Sequence, residues 1–261
     1  MNGDSMNRDF GKLKGFTLVE LLVVMIVIAI LAALLLPVIG AAKKRAWCTT
    51  CLDNLQQINL GVRMYADDSQ DATPSPGSAA AATNVMALYS GYKELMKNYV
   101  GLKGASSPQD KLFACPADAF FPNFFLTNAQ WPWRYVPLSF HGQPFSDYSS
   151  YVFNGGDNIS RTNQSKTVII PRPGLTGVKL SSVKHPSRTA LIVEGSAPCP
   201  WSWHEPARQV QFNDAKNVVS FVDGHVSYLK IYWDSKFNNG TRSEAFMYDP
   251  PGSYDYQWSP N

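Results

Sequence analysis

The apolar positions divide this chain into two unlike parts. From Phe16 to Ile39 runs a stretch of 24 residues whose only charge is Glu20. As an α-helix it would be about 36 Å long, enough to cross a bilayer core of about 30 Å. The pattern therefore predicts a transmembrane helix, and the run is too long for the apolar region of a secretory signal peptide, about 7 to 15 residues. Further on, Cys48, Cys51, Leu55, Ile58, Val62 and Tyr65 recur every three or four positions, with Asp53, Asn54, Gln56, Gln57 and Arg63 between them. That period predicts an amphipathic helix over residues 40–66. Its polar face is not basic enough for a membrane-surface anchor, so its stripe is expected to pack on the chain's own C-terminal part. Phe16 to about Ala66 thus reads as one long helix, half in an apolar medium and half docked. Pro37, near the junction, removes one helical hydrogen bond and predicts a kink.

The segment from Asp67 to Gly77 carries three Asp, two Pro and a Gly, which stop the helix, and an Ala- and Ser-rich loop is expected up to about Thr83. A second helix is predicted over Asn84 to Val100, with Val85, Leu88, Tyr92, Leu95, Met96 and Tyr99 on one side. From Phe113 to Phe153 the chain is aromatic, proline-rich and without period. Strand-like runs follow at Thr167 to Ile170, Val178 to Val183, Thr189 to Glu194, Val210 to Phe212, Val218 to Val222 and His225 to Ile231. The last two flank Asp223-Gly224, a hairpin motif that predicts a type I′ turn with positive φ at both residues. The fold class is α+β: a long helix packed on a C-terminal antiparallel β-sheet domain.

Composition narrows the function. The net charge of +3, with 16% charged residues, builds no field of one sign, so nucleic acid is not an expected partner. Basic residues lie on both sides of the apolar run, Arg8, Lys12 and Lys14 before it and Lys43, Lys44 and Arg45 after it, so charge leaves the orientation open. Glu20 is the informative residue. A carboxylate inside a membrane span costs about 2.5 to 3.5 kcal/mol on insertion scales, which calls for a partner and marks a functional position.

No Gly-x-Ser-x-Gly, His-Glu-x-x-His or phosphate-loop motif is present, and His204 beside Glu205 or Asp223 near His225 are isolated pairs, so the chain is not expected to be an enzyme. Asp67, Ser69, Asp71 and Thr73 have the spacing of the first half of a calcium loop, but the Gly and Glu of an EF-hand are missing. An irregular calcium site is the only cofactor this leaves. Trp47-Cys48-Thr49-Thr50-Cys51 has redox-motif spacing but falls inside a helical pattern rather than after a strand. Zinc would need two ligands beyond a cysteine pair, and Cys115, Cys199, His204 and His225 show no metal-ligand spacing. Trp131, Trp133, Trp201, Trp203 and Trp233 fit either a core or a face that binds a polymer.

The segment Lys14-Gly15-Phe16-Thr17-Leu18-Val19-Glu20-Leu21-Leu22-Val23-Val24 resembles the processing site of type IV prepilins and type II secretion pseudopilins. The resemblance implies a leader at 1–15, a cut between Gly15 and Phe16 by prepilin peptidase, and N-methylation of Phe16. It also implies a transmembrane helix at 16–39, an amphipathic continuation at 40–66 and an extracytoplasmic domain at 67–261. The chain would then sit in a bacterial inner membrane, N-terminus inside, among membrane lipid, other pilin or pseudopilin subunits and an assembly platform. Glu20 would pair with the Phe16 amine of a neighbour, and a proline at Pro37 is common in the family.

Phe221-Val222-Asp223-Gly224-His225-Val226 further resembles the C-terminal signature of a large prepilin-like group, a His, nine residues and Asp-Gly. Cys51 to Ile58, Met64 to Asp68, Cys115 to Asp118, Ser150 to Asn154 and Pro186 to Thr189 are similar to its other recurring pieces. Asn213 stands where that signature has His. By this resemblance Cys51 and Cys115 are a disulfide pair, although the sequence itself leaves the connectivity open. The expected function is a structural subunit of a pilus or secretion pseudopilus; a surface-displayed binding module on the same helix is the alternative.

Overall fold

The computed structural model describes residues 15–75, 87–122, 135–155, 158–163, 166–171, 174–198, 201–208, 215–233 and 249–261. The leader up to Lys14 and the positions Val85, Trp131, Trp133, Cys199, Val210 to Phe212 and Asn213 lie outside them.

The first helix, α1, spans Leu18–Asp68, 51 residues with Pro37 inside an unbroken helical run. It crosses the boundary between two compact units, residues 1–43 and 44–261. In the first unit every described residue is exposed, and the apolar window has a mean hydropathy of 3.3 with none of its residues buried, as a segment made for a nonaqueous medium requires. In the second unit the expected stripe is buried at Cys51, Leu55, Ile58 and Val62 and half-buried at Cys48 and Tyr65, and Ala66 is buried with it. The burial also takes in Asn54, Asn59 and Gly61, two of them polar, which periodicity assigns to no core. At Gly61 a Cβ would stand 2.6 Å from Val100 Cγ1 and closer still to Met96, so the backbone of α1 touches its neighbour directly.

The second helix is broken into α2 (Ala87–Ser90), α3 (Tyr92–Met96) and a 3₁₀ turn at Lys97–Val100, with Gly91 between the first two and left-handed Gly101 ending the run. Short strands β1 (Phe121–Pro122) and β2 (Tyr135–Val136) pair with each other. The main sheet is antiparallel, built from β3 (Tyr151–Phe153), β6 (Ala190–Glu194), β7 (Ala215–Phe221) and β8 (Val226–Ile231) in that order. A separate hairpin pairs β4 (Asn158–Asn163) with β5 (Lys166–Pro171). β3, β6 and most of β7 are buried residue after residue rather than alternately, as befits central strands covered on both faces.

Two expectations are corrected. Val178 to Val183 is not a strand: Lys179 makes one bridge to Ala72, and Leu180–Ser182 is a 3₁₀ turn. The Asp71 carbonyl accepts the Leu180 N–H and its carboxylate the Ser181 N–H, which takes these donors away from any ladder. The hairpin at Asp223-Gly224 is present, but its turn is not type I′. Gly224 donates to the Phe221 carbonyl and alone in the loop has positive φ, +103°. Phe221 N–H bonds the His225 carbonyl, which makes a three-residue loop with a glycine bulge.

One core contains the buried stripe of α1, Tyr92, Met96, Phe113, the strands of the main sheet and the C-terminal residues Tyr256 and Trp258. Lys93 is buried beside this core; its Nζ donates to the Asp147 and Tyr148 carbonyls and pairs with the Asp110 carboxylate at 2.9 Å.

Candidate functional site

At the start of α1, Thr17 and Glu20 cap the helix reciprocally. Glu20 Oε2 accepts the Thr17 N–H at 2.8 Å and the Thr17 hydroxyl at 2.7 Å, while Thr17 Oγ1 accepts the Glu20 N–H at 3.2 Å. This is a capping box, Thr-x-x-Glu, and it satisfies donors that the first turn leaves without helical partners. The lone acid of the apolar run therefore has two donors from its own chain. Gly15 precedes this turn, and a Cβ there would meet nothing within 4 Å. The fold does not require glycine at this position, so a demand for one has to come from another molecule. Phe16 is 73% exposed.

In the second unit, the segments singled out in the sequence are joined to one another through their polar groups. Asn59 Nδ2 donates to the Phe221 carbonyl at 2.7 Å and Arg63 Nη1 to the Val222 carbonyl at 3.1 Å, so α1 holds the strand end that leads into the Asp223-Gly224 loop. From the other side, Val222 and Asp223 donate their N–H groups to the Thr189 and Pro186 carbonyls. Asp118 accepts the N–H groups of Phe140 and His141 and the hydroxyls of Ser139 and Ser150; burial pushes its carboxyl up to about 6 against the pull of these four donors. Asn154 Nδ2 bonds the Ala190 and Trp258 carbonyls, which fastens the C-terminal residues to the sheet. Asp223 accepts from His225 at 2.6 Å, and the His225 ring stacks on Phe221. None of these arrangements leaves a nucleophile next to a free base.

Cys51 is bonded to Cys115, with Cα atoms 5.5 Å apart, so the helix is joined covalently to the segment that leads into the sheet. Cys48 is half-buried, and its thiol is pushed up to about 11 by burial, then by the Glu194 and Glu205 carboxylates. A thiol so rarely ionised is a poor redox nucleophile. His204 pairs with Glu194, at 2.7 Å, and not with its sequence neighbour Glu205. Burial acts to lower the His204 pKa, but the charge and hydrogen bond of Glu194 outweigh it and the net shift is upward. Glu194, the last residue of β6, was invisible as a site residue in the sequence because it closes a run that reads only as a strand.

Three side chains of the Asp67 to Thr73 segment have protein partners: Asp68 accepts from Tyr99, Asp71 accepts from the Ser181 N–H, and Thr73 Oγ1 donates to the Leu175 carbonyl. Of the tryptophans, Trp201 and Trp203 are core residues, and Trp203 Nε1 donates to the Phe120 carbonyl.

A single exposed apolar helix at the N-terminus, continued into an α+β unit with a four-stranded antiparallel sheet, defines a pilin-like layout. Residues 12–36 match the family described as the prokaryotic N-terminal methylation motif. Over 60 residues, 23% of this chain, the sequence is 47% identical to the type IV wide pilus major component PilA4 of Thermus thermophilus. The match covers 46% of that protein, so this chain spans less than half of the relative's length. No solved structure matches. The N-terminal part of the chain is thus similar to type IV prepilins and carries the prepilin methylation motif at residues 12–36.

Proposed function

We propose that this chain is the precursor of a filament subunit of the type IV pilus kind, with a structural rather than a catalytic role. Prepilin peptidase cuts between Gly15 and Phe16, the new Phe16 amine is methylated, and subunits associate in the inner membrane by parallel packing of α1. A neighbour's Phe16 amine, on a helix staggered along the axis, then reaches Glu20. The sheet domain lies outside the cytoplasm, and an assembly platform extracts the subunit from lipid into the filament.

The observation that carries this reading is the coincidence of three features within residues 12–36: the methylation motif, a glycine that the fold itself does not need, and one capped acid on an otherwise apolar, fully exposed helix. The test is the N-terminal mass of the native protein extracted from membranes. The expected mature chain begins at N-methyl-Phe16, and Gly15→Ala retains the leader. An intact N-terminus in the wild type, or a cut near Ala41, overturns the proposal.

A further inference from the structure

Among the described residues, two acid–base pairs with a fully buried member remain after the filament role is assigned. Lys93 with Asp110 is accounted for by the backbone carbonyls that the ammonium anchors. Glu194 with His204 is different, because it stands against the two sulfurs that tie α1 to the sheet domain. Cys115 Sγ is 3.5 Å from Glu194 Oε1 and 3.8 Å from His204 Nε2. One ligand atom from each of Cys51, Cys115, Glu194 and His204 lies within 4.8 Å of all the others, and all four residues are buried.

Two thiolates, an imidazole and a carboxylate are a full ligand set for Zn²⁺. Ligands at about 2.0–2.3 Å from the metal in a tetrahedron stand about 3.3–3.8 Å from one another. Both distances from Cys115 Sγ already fall in that range, whereas the hydrogen bond of 2.7 Å between His204 and Glu194 has to open by about half an ångström. The supporting shell is present on the carboxylate: Glu194 Oε2 accepts the Val218 N–H at 2.9 Å, which leaves Oε1 as a single inward ligand. A cavity of about 250 Å³ bordered by Lys44, Arg45, Cys48, Glu205 and Tyr228 reaches the cluster at His204. The two cations on its border, Lys44 and Arg45, are opposite in sign to the single negative charge that Zn²⁺ with two thiolates, one carboxylate and a neutral imidazole would carry.

We propose that Cys51, Cys115, Glu194 and His204 form a closed tetrahedral Zn²⁺ site in the dithiol form of this protein, the disulfide and the metal being alternative closures of one cluster. A dithiol reductant delivers two electrons and two protons to the Cys51–Cys115 bond and leaves as a disulfide. Zn²⁺ then displaces the two thiol protons, and His204 Nε2 exchanges its hydrogen bond to Glu194 for the metal. Either closure ties α1 to the sheet domain, so the linkage survives a change of redox conditions that would cut a disulfide alone. The inference stands on the second unit and is independent of the N-terminal processing.

The test uses the full chain in detergent, reduced with a phosphine, loaded with Zn²⁺ and desalted. Metal content is measured together with the spectrum of the Co²⁺-loaded form. The expected result is one Zn²⁺ per reduced chain, thiolate-to-cobalt bands with tetrahedral d–d absorption, and no metal on the oxidised chain. Glu194→Gln and His204→Gln are expected to bind at least about tenfold more weakly, while their oxidised forms still show the Cys51–Cys115 bond on a nonreducing gel. A reduced wild type without metal overturns the proposal. So does metal retained equally by both variants, which would place it on other thiols, or metal bound equally by the oxidised chain.

Discussion

Gly224→Ala tests whether α1 and the Asp223-Gly224 loop act as one mechanical unit. At φ +103° an alanine is strained by about 1–2 kcal/mol. Its Cβ would also stand 3.1 Å from Arg63 Nη1, the atom that donates to the Val222 carbonyl. Displacing that guanidinium by a few tenths of an ångström puts at risk a bond worth about 0.5–1.5 kcal/mol. The expected loss is therefore about 2–3 kcal/mol, or a fall in Tm of about 5–10 °C for a unit of this size. Tryptophan fluorescence of the full chain in detergent reads the transition, because Trp201, Trp203 and Trp258 are in the core. In an Arg63→Ala background the glycine substitution keeps only its backbone strain, about 1–2 kcal/mol. An unchanged Tm for Gly224→Ala would refute the strain argument, and an equal loss in both backgrounds would refute the role given to Arg63.

Lys93→Met keeps the apolar stem but leaves Asp110 and two loop carbonyls without their ammonium; a loss of about 3–5 kcal/mol is expected from urea midpoints of the full chain. For the oxidised protein, the raised pKa of His204 predicts a stability contribution fully present below the ordinary histidine value of about 6.5 and lost as pH rises through the folded value. The Tm difference between wild type and Glu194→Gln should accordingly shrink between pH 6 and 9, and a difference that grows with pH would contradict the assignment.

The apolar half of α1 was legible because its code is one-dimensional: an unbroken apolar run with one charge at one place. The docked half was legible through its stripe, yet Asn54 was placed among the polar positions of the helix and Asn59 was not singled out, and both are buried. Their burial is compensated by partners about 60 and 160 residues away, the Ala114 and Phe221 carbonyls, and no local period records that. The same limit hid Glu194, whose partner His204 lies beyond a loop and whose sulfur neighbours come from two other elements. Val178 to Val183 failed for the opposite reason: β-branched residues suggested a strand, and the oxygens of a single aspartate, Asp71, captured the donors that a strand would need. Asp-Gly marked the hairpin correctly, while the choice between turn types depended on a third residue, Val222, whose N–H was claimed by Thr189.

The capping box at Thr17 and Glu20 bears on the order of events in the membrane. A bare carboxylate would meet the full cost of entering lipid; one already holding two donors from its own chain would enter at a lower cost while it waits for a counter-charge. Under the proposed filament role, growth would be a substitution at Glu20, a threonine hydroxyl and amide giving way to an incoming amine, and the difference between those two states would set the driving force, not the full cost of burying a charge. The proposed cut before Phe16 suits this arrangement: one residue later, the Thr17 amide that holds the acid would itself become the charged terminus, and the subunit would pair its own acid before a second one arrived.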